Sequence, residues 1–558
     1  DYFCPVHNLQ FTFRWDKPLA QYCSACDKEW IGNNRYDWAW IYEVHMLNRD
    51  YMYQCMYLYL ATGKRQYADY IRTMLLDYAG KYAGWFEHNS GRKATDQHSG
   101  KAFAQSLDEA NWATKVAMAY MAIKPVLSKE EVKAIEEGYL QPAATLLLHR
   151  PAGANWQMWH NSGLAALGIA LENDSIVDVA INKDKYGYHY LIGKHKNSDG
   201  WINEGSPHYH YYPLEALLFT ANAVKCRGIK LFDKDLHDMF VEPVKGTYPD
   251  LSFPAHSDGW YGANLLSQSA LYEVGNARYN DPFLKRVLEL TYAQKKRLDP
   301  EALLSNQLIK ASEESLLQKS YSFDTSGFCL LRSDTRTVVL KFGGEGIGHG
   351  HPDKLSITIH DGKNELVSDF GTSGYGVPDY LKWYKRTLSH NTVTVDAKDQ
   401  KRSVGKLLKF NPRSDGGYAE AETTTAYPGV RMKRSLDLKG THLQDVYTCT
   451  SDSSHLYEYV ILFNEKPLMD GQPTATTLTG SEVHERIHNI FSYPHKSGFT
   501  CRTSSASVQF DIPEGEVMEV VLGEASGIPA NPTVKDGPGA GDVAVKPCYP
   551  LIIRMKGK

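Results

Sequence analysis

From about residue 35 to residue 310 the apolar residues recur with the spacing of an amphipathic helix. Tyr67, Ile71, Met74, Leu75 and Tyr78 stand at i, i+4, i+7, i+8 and i+11, on one face of a 3.6-residue turn. Similar stripes return over 38–61, 105–123, 129–148, 156–172, 214–226 and 281–297, separated by loops carrying Gly, Pro, Asn and Asp. That is more helices than a simple bundle holds. Beyond residue 320 the texture changes to short β-rich runs, among them Thr337-Val338-Val339-Leu340, Leu355-Ser356-Ile357-Thr358-Ile359, Asn391-Thr392-Val393-Thr394-Val395 and Leu456-Tyr457-Glu458-Tyr459-Val460-Ile461. Turn signals such as Asp361-Gly362 and Lys439-Gly440 punctuate them. Many strands without intervening helices predict an antiparallel sandwich. The pattern divides the chain into a small N-terminal segment (1–34), a helical domain (35–315) and a β domain (316–558), with the seam near 312–322.

Composition narrows the function classes. The 558 residues are 42% apolar and 23% charged, and 61 basic against 65 acidic side chains leave a formal charge of -4. No stretch approaches the ~18 uninterrupted apolar residues of a membrane span, so none is expected. The balanced charge gives no surplus for general nucleic-acid binding. Aromatic content is 12%, with 36 Tyr and 11 Trp; flat rings suit sugar faces, but most of these read as core filling. The nine cysteines cannot all pair internally. Most stand in apolar contexts as small buried hydrophobes. Cys4-x-x-His7 and Cys23-x-x-Cys26 instead have the paired two-residue spacing of two knuckles closing one tetrahedral zinc site. With no open coordination position such a zinc would be structural. The alternatives are a Cys23–Cys26 disulfide or free thiols.

Three segments hold more polar and titratable groups than folding requires. The first, Gly153-Ala154-Asn155-Trp156-Gln157-Met158-Trp159-His160-Asn161-Ser162-Gly163, opens a helix. Asn155 there reads either as a cap or, with Trp156 and His160, as part of a sugar-binding cleft. The second, Asp199-Gly200-Trp201-Ile202-Asn203-Glu204-Gly205-Ser206-Pro207-His208-Tyr209-His210-Tyr211-Tyr212, reads as a loop leading into a helix at Leu214. Tyr and His are both proton-transfer groups, although an interdomain aromatic contact is the plainer role. The third, Gly348-His349-Gly350-His351-Pro352-Asp353-Lys354-Leu355-Ser356, is followed by Ser368-Asp369-Phe370-Gly371 and Ser389-His390-Asn391-Thr392. Neighbouring strands would bring His351, Asp369 and His390 together as a zinc first shell, which spacing alone does not establish.

Together these segments resemble the heparinase II/III-like superfamily of polysaccharide lyases, which includes heparin, heparan sulfate and oligo-alginate lyases. The resemblance runs over most of the chain and is carried by Gly348 to Ser356, Asp369-Phe370-Gly371, Ser389-His390-Asn391-Thr392-Val393 and Glu204-Gly205-Ser206-Pro207-His208-Tyr209-His210. It implies an incomplete (α/α) toroid followed by an antiparallel β-sandwich. It further implies that His351, Asp369 and His390 hold a structural metal, zinc by the donor types. Tyr209 would be the catalytic tyrosine, His349 the sandwich-side catalytic histidine, and Tyr375 or Tyr380 a second tyrosine. Many relatives carry an adjacent Asn-His pair where this chain has Asn155-Trp156 and then His160-Asn161. The donor that neutralises the substrate carboxylate is therefore open between Asn155 and His160.

The chemistry implied is β-elimination: a base removes the C5 proton of a uronic acid, the bond to O4 breaks, and a 4,5-unsaturated end remains. Fixed donors such as Asn155 or His160 would stabilise the enolate-like charge. Tyr209 serves both steps if proton and O4 share a face of the ring; otherwise His349 is the base and a tyrosine the acid. Glu204, His210, Trp156 and Arg386 are expected at the substrate, with Lys101 and Arg332 as further anion contacts. The favoured substrate is heparin or heparan sulfate, with alginate oligomers next. Rivals are a glycoside hydrolase using Asp108 or Glu109 with Glu204, and a non-catalytic carbohydrate-binding protein. The first residue is Asp1 rather than Met, as removal of an export signal or trimming would leave it, and a secreted or periplasmic bacterial enzyme is expected.

Overall fold

The computed structural model describes residues 2, 4, 11–89, 98–304, 307–314, 316, 319–344, 348–375, 379–494, 498–511, 517–529 and 546–558. The chain forms two compact units. The first gathers Asp1–Lys196, Tyr211–Phe240 and Gln268–Glu313; the second gathers Asn197–His210, Val241–Ser267 and Glu314–Lys558. Asn197–His210 and Val241–Ser267 group with the strands rather than with the helices that flank them in sequence.

The first unit is helical. Asn33 accepts the amide of Arg35 to start Asn34–Thr62, and Gly63, in the left-handed region, ends it. In Arg65–Ala79 the expected face is the buried one, through Ala68, Ile71, Leu75 and Tyr78. The stripe over 129–148 is one run: Lys129–Ile135 passes through a wide turn at Glu136–Leu140 into Gln141–Leu148. Ser128 and Glu131 cap it reciprocally. Gly138 lies against the carbonyl of Ala79, where a Cβ would stand 2.4 Å from the oxygen, so only glycine lets these helices approach so closely. The stripes at 105–123 and 156–172 become Ser106–Ile123 and Ala154–Ala170.

Helices Asp174–Asn182, Tyr188–His195, Lys234–Val244 and Ser269–Tyr279 were not marked by a stripe. Ser269–Tyr279 shows why. It buries Ser269, Glu273 and Asn276 together with Tyr272, so its inward face is polar. Glu273 is neutralised there by Arg297, at 2.7 and 2.9 Å.

The second unit is antiparallel β. An eleven-stranded sheet includes Phe328–Arg332, Thr337–Lys341, Ser356–His360, Glu365–Val367, His455–Phe463, Val517–Ser526 and Pro547–Gly557. A four-stranded sheet runs Lys406–Arg413, Gly416–Tyr427, Val430–Lys439 and His442–Ser451, each strand pairing with the next in sequence. Val430–Lys439 alternates buried and less buried side chains, as one-sided packing requires. Val338, Leu340, Ile357, Ile461, Val520 and Ile553 of the larger sheet join Ala419, Ala421, Met432, Leu436 and Leu438 of the smaller in one core.

Fully buried Arg434 lies within this packing. It forms a two-point pair with Asp445 and donates through Nη1 to the carbonyls of Leu355 (2.7 Å) and Asn391 (2.6 Å). Asn391 in turn donates to the carbonyls of Ile357 and Ser368 and accepts from the amide of Leu462. These bonds fix the strand ends that carry His351, Asp369 and His390.

Candidate active site

Asp258 is the centre of a polar cluster inside the second unit. Its Oδ2 lies 2.9 Å from His349 Nδ1 and accepts from Tyr375 Oη at 3.0 Å. Its Oδ1 lies 2.9 Å from His351 Nε2 and accepts from Tyr380 Oη at 2.8 Å. Lys385 stands 3.8 Å from Oδ2 and donates to Tyr380 Oη and to the carbonyl of Gly348. Burial opposes the charge on Asp258, but the bonds from His349 and His351, with the field of Lys385, hold its carboxyl well below the usual carboxylate range. It is a carboxylate at any working pH.

Tyr209 completes the cluster. Its ring stacks on that of His349 with centroids 3.6 Å apart and planes 17° off parallel, and its hydroxyl meets Tyr375 Oη at 2.6 Å. Burial, with the nearby charges of Asp258 and Glu204, pushes its phenol up to about 12 against the opposing bond from Tyr375. Tyr209 therefore holds its proton in the free protein. The expected loop ends earlier than Leu214: the helix is His208–Val224, its first turn carries Tyr209, and the Tyr209 amide donates to Ser206 Oγ.

The Asp369-Phe370-Gly371 turn packs on the loop bearing Asp258. Gly371 has φ +62°, and a Cβ there would stand 2.0 Å from the carbonyl oxygen of Gly259, so glycine is required at this contact. Thr372 donates its amide to that same carbonyl. A cavity of about 210 Å³ is lined by Trp201, Asn203, Ser206, Pro207, His256 and Lys341, next to both segments in sequence.

Asp369 and His390 come together as expected, with Oδ1 and Nδ1 3.4 Å apart. The third ligand-type side chain within 4.8 Å of both is Asp353, not His351. Asp353 is already paired with Lys341 and Lys354. The His351 and His390 ring centroids are 5.3 Å apart. Asp369 Oδ2, His351 Nδ1 and His390 Nε2 are fully buried without hydrogen-bond partners. Such atoms are costly to strand, and two imidazoles with a carboxylate are a zinc donor set; the donor types fit that ion, while among the described residues the ligand atoms grouped here within 4.8 Å are those of Asp353, Asp369 and His390.

Tyr209, His349 and Tyr375 are thus brought together, and Glu204 lies nearby, with Oε2 3.8 Å from His349 Nε2. The structure places the other expected residues as follows. His210 is fully buried and accepts the amide of Ile202, a structural role. Arg386 is engaged by Asp399 at 2.6 Å and Glu482 at 2.8 Å rather than presented to a ligand. Arg332 donates to the carbonyls of Lys319, Lys245 and Thr247. In the first unit, Asn155 is buried and His160 is wholly enclosed on Ala154–Ala170, where burial pushes its imidazole down to about 4. Trp156 packs edge-on against His98, and Lys101 donates to the carbonyl of Ala83. Glu109 accepts from Tyr82 and from the amides of Lys101, Ala102 and Phe103. These donors make it an internal cap for the segment before Ser106–Ile123. Asp108 accepts from Tyr42 at 3.3 Å. Cys4, Cys23 and Cys26 come together, while His7 lies outside the described residues.

Asp258 and Lys385 were not anticipated. The signal available was His256-Ser257-Asp258-Gly259-Trp260-Tyr261, a polar and aromatic run like the segments that were singled out.

Comparison with known proteins agrees with this picture. Residues 316–504 match the family model "Heparinase II/III-like, C-terminal", and residues 44–241 match "Alginate lyase". The chain is 29% identical over 476 residues to an alginate lyase of Stenotrophomonas maltophilia, covering 76% of this chain and 63% of that one. It is 26% identical over 485 residues to an exo-oligoalginate lyase of Saccharophagus degradans, covering 76% and 64%. The chain thus spans slightly under two thirds of the length of these relatives. Its fold resembles that of the heparan sulfate lyase of Pedobacter heparinus, with a TM-score of 0.59, 15% identity, and coverage of 94% of this chain and 75% of that one. The helical region followed by antiparallel sheets is accordingly the toroid-and-sandwich class expected. Two family models thus match this chain, one within its helical region and one within its β region, and in both it is similar to heparinase II/III-like and alginate lyases.

Proposed function

We propose that this protein is a polysaccharide lyase that cleaves a uronic-acid-containing glycan by β-elimination. The observation that carries the reading is the continuous path from Tyr209 Oη through Tyr375 Oη to Asp258, with His349 bound to the same carboxylate and stacked on Tyr209. Donor roles follow from the acceptor-only carboxylate. Tyr375 donates to Asp258, Tyr209 donates to Tyr375, and His349 donates through Nδ1–H. The lone pair of His349 is then on Nε2, which is the proton acceptor for C5. Tyr209, which keeps its proton, is the donor to the departing O4. Asp258 holds the imidazole in this tautomer and stabilises the imidazolium once the proton has transferred.

His351, Asp369 and His390 would hold a zinc ion whose contribution is structural, securing the strand ends next to His349. Asp258 ties that set to the reacting histidine, because it binds His351 through Oδ1 and His349 through Oδ2.

Alginate or its oligomers fit better than the sulfated glycans favoured by sequence. The two relatives that cover 76% of the chain are named for alginate, whereas two that cover 43% and 48% of it are named for heparin sulfate. The test is to incubate the protein separately with alginate, alginate oligomers and heparan sulfate, following ultraviolet absorbance and reducing ends together. Alginate substrates should raise both in step. Reducing ends without absorbance would indicate hydrolysis, and activity on heparan sulfate alone would reverse the substrate choice.

A further inference from the structure

The N-terminal segment brings three cysteines from separate parts of the chain to one point. Cys4 and Cys23 are fully buried and Cys26 is partly so, and their sulfurs all lie within 4.8 Å of one another. Cys23 ends the strand Ala20–Cys23, and Cys26 sits in the turn before Lys28–Ile31, its partner in a two-stranded hairpin. Cys4 lies two residues after Tyr2, whose carbonyl accepts the amide of Phe11, and Thr12 bridges to Tyr22 of the hairpin.

The Cys4 and Cys26 sulfurs are 3.8 Å apart. A disulfide would need about 2.05 Å. With Zn–S bonds of about 2.3 Å, the edge of a thiolate tetrahedron is about 1.63 times that length, or about 3.8 Å. No other ligand-type group within the described residues joins the three sulfurs.

We infer that Cys4, Cys23 and Cys26 are three ligands of a second, structural zinc site, distinct from the one in the sandwich. The three sulfurs leave one position of the tetrahedron for a further donor. The ion would fasten a small aromatic cluster, Tyr2, Phe11 and Tyr36 with Phe13, Trp30 and Trp40, onto the start of Asn34–Thr62. This cluster is too small to hold its segment alone, which is the situation in which a metal replaces a core.

Two measurements on the full-length protein decide it. Zinc content of purified wild type should exceed that of Cys23→Ser by one equivalent, while His390→Ala retains that equivalent. Protein produced with cobalt should show a thiolate-to-metal charge-transfer band that is absent from Cys4→Ser and present in His390→Ala. The wild-type spectrum stands by itself should a cysteine variant fail to fold. A wild-type cobalt protein without that band, unchanged zinc in folded Cys23→Ser, or a Cys23–Cys26 disulfide found by non-reducing mass analysis would overturn the site.

Discussion

Asp258 Oδ2 and His349 Nδ1 are 2.9 Å apart, although 91 residues separate them in the chain. The backbone repeats the link, because the Asp258 amide donates to the carbonyl of His349 at 3.1 Å. A loop without regular secondary structure thereby orients the imidazole, and the same carboxylate gathers Tyr375, Tyr380 and His351.

Asp258→Asn keeps the shape but places an amide where an acceptor-only group takes several donors. Turnover is expected to fall by roughly 100-fold or more, with KM changing far less, because the histidine loses its tautomer and its counter-charge. Turnover equal to that of the wild type would show that the carboxylate is only structural.

Tyr209 is half-buried at a helix start, and its hydroxyl bonds Tyr375 rather than the core. Tyr209→Phe should therefore abolish turnover while moving the melting temperature by only a degree or so, a change of a few tenths of a kcal/mol, of the order seen for substitutions away from core features. Circular dichroism melts beside activity assays separate this from unfolding.

Glu109 supplies a stability prediction with a definite sign. Burial raises its carboxyl to about 7, outweighing the bond from Tyr82 and the three backbone amides. The folded state thus binds the proton more tightly than the unfolded one. Its contribution is full below about pH 4.5 and is lost as pH rises through about 7, by at most about 3 kcal/mol. Thermal melts from pH 5 to 8 should show wild type losing stability across that window and Glu109→Gln losing less; parallel curves would contradict it.

Arg434 is a structural counterpart to Asp258. Arg434→Met removes the partner of Asp445 and the donors to Leu355 and Asn391. A loss of about 3 kcal/mol or more is expected, measured by urea unfolding. A variant as stable as wild type would show that the arginine adds nothing to the sandwich.

Much of this was legible in the chain. Helical and strand periodicity announced both regions, because most of their buried faces are apolar. Ser269–Tyr279 escaped because Glu273 and Asn276 face inward, and a hydrophobicity pattern does not register a buried polar face. Glycine-flanked His349, the Asp369-Phe370-Gly371 turn and Tyr209 stood out because their types and crowding exceed what folding needs. Asp258 did not, since one aspartate in a loop resembles any turn former until the fold sets it between two histidines. His160 and His210 stand in crowded polar segments, and only the fold shows that both rings are buried. Arg386 likewise looked available until Asp399 and Glu482 were seen to occupy it.

The most direct measurement is the ultraviolet absorbance of alginate oligomers incubated with wild type and with Tyr209→Phe side by side. The expected result is a steady rise for wild type, proportional to chain cleavage, and a flat trace for a variant that is still folded. An equal rise from the variant, or wild-type cleavage with no conjugated product, would contradict elimination at the Tyr209–His349 pair.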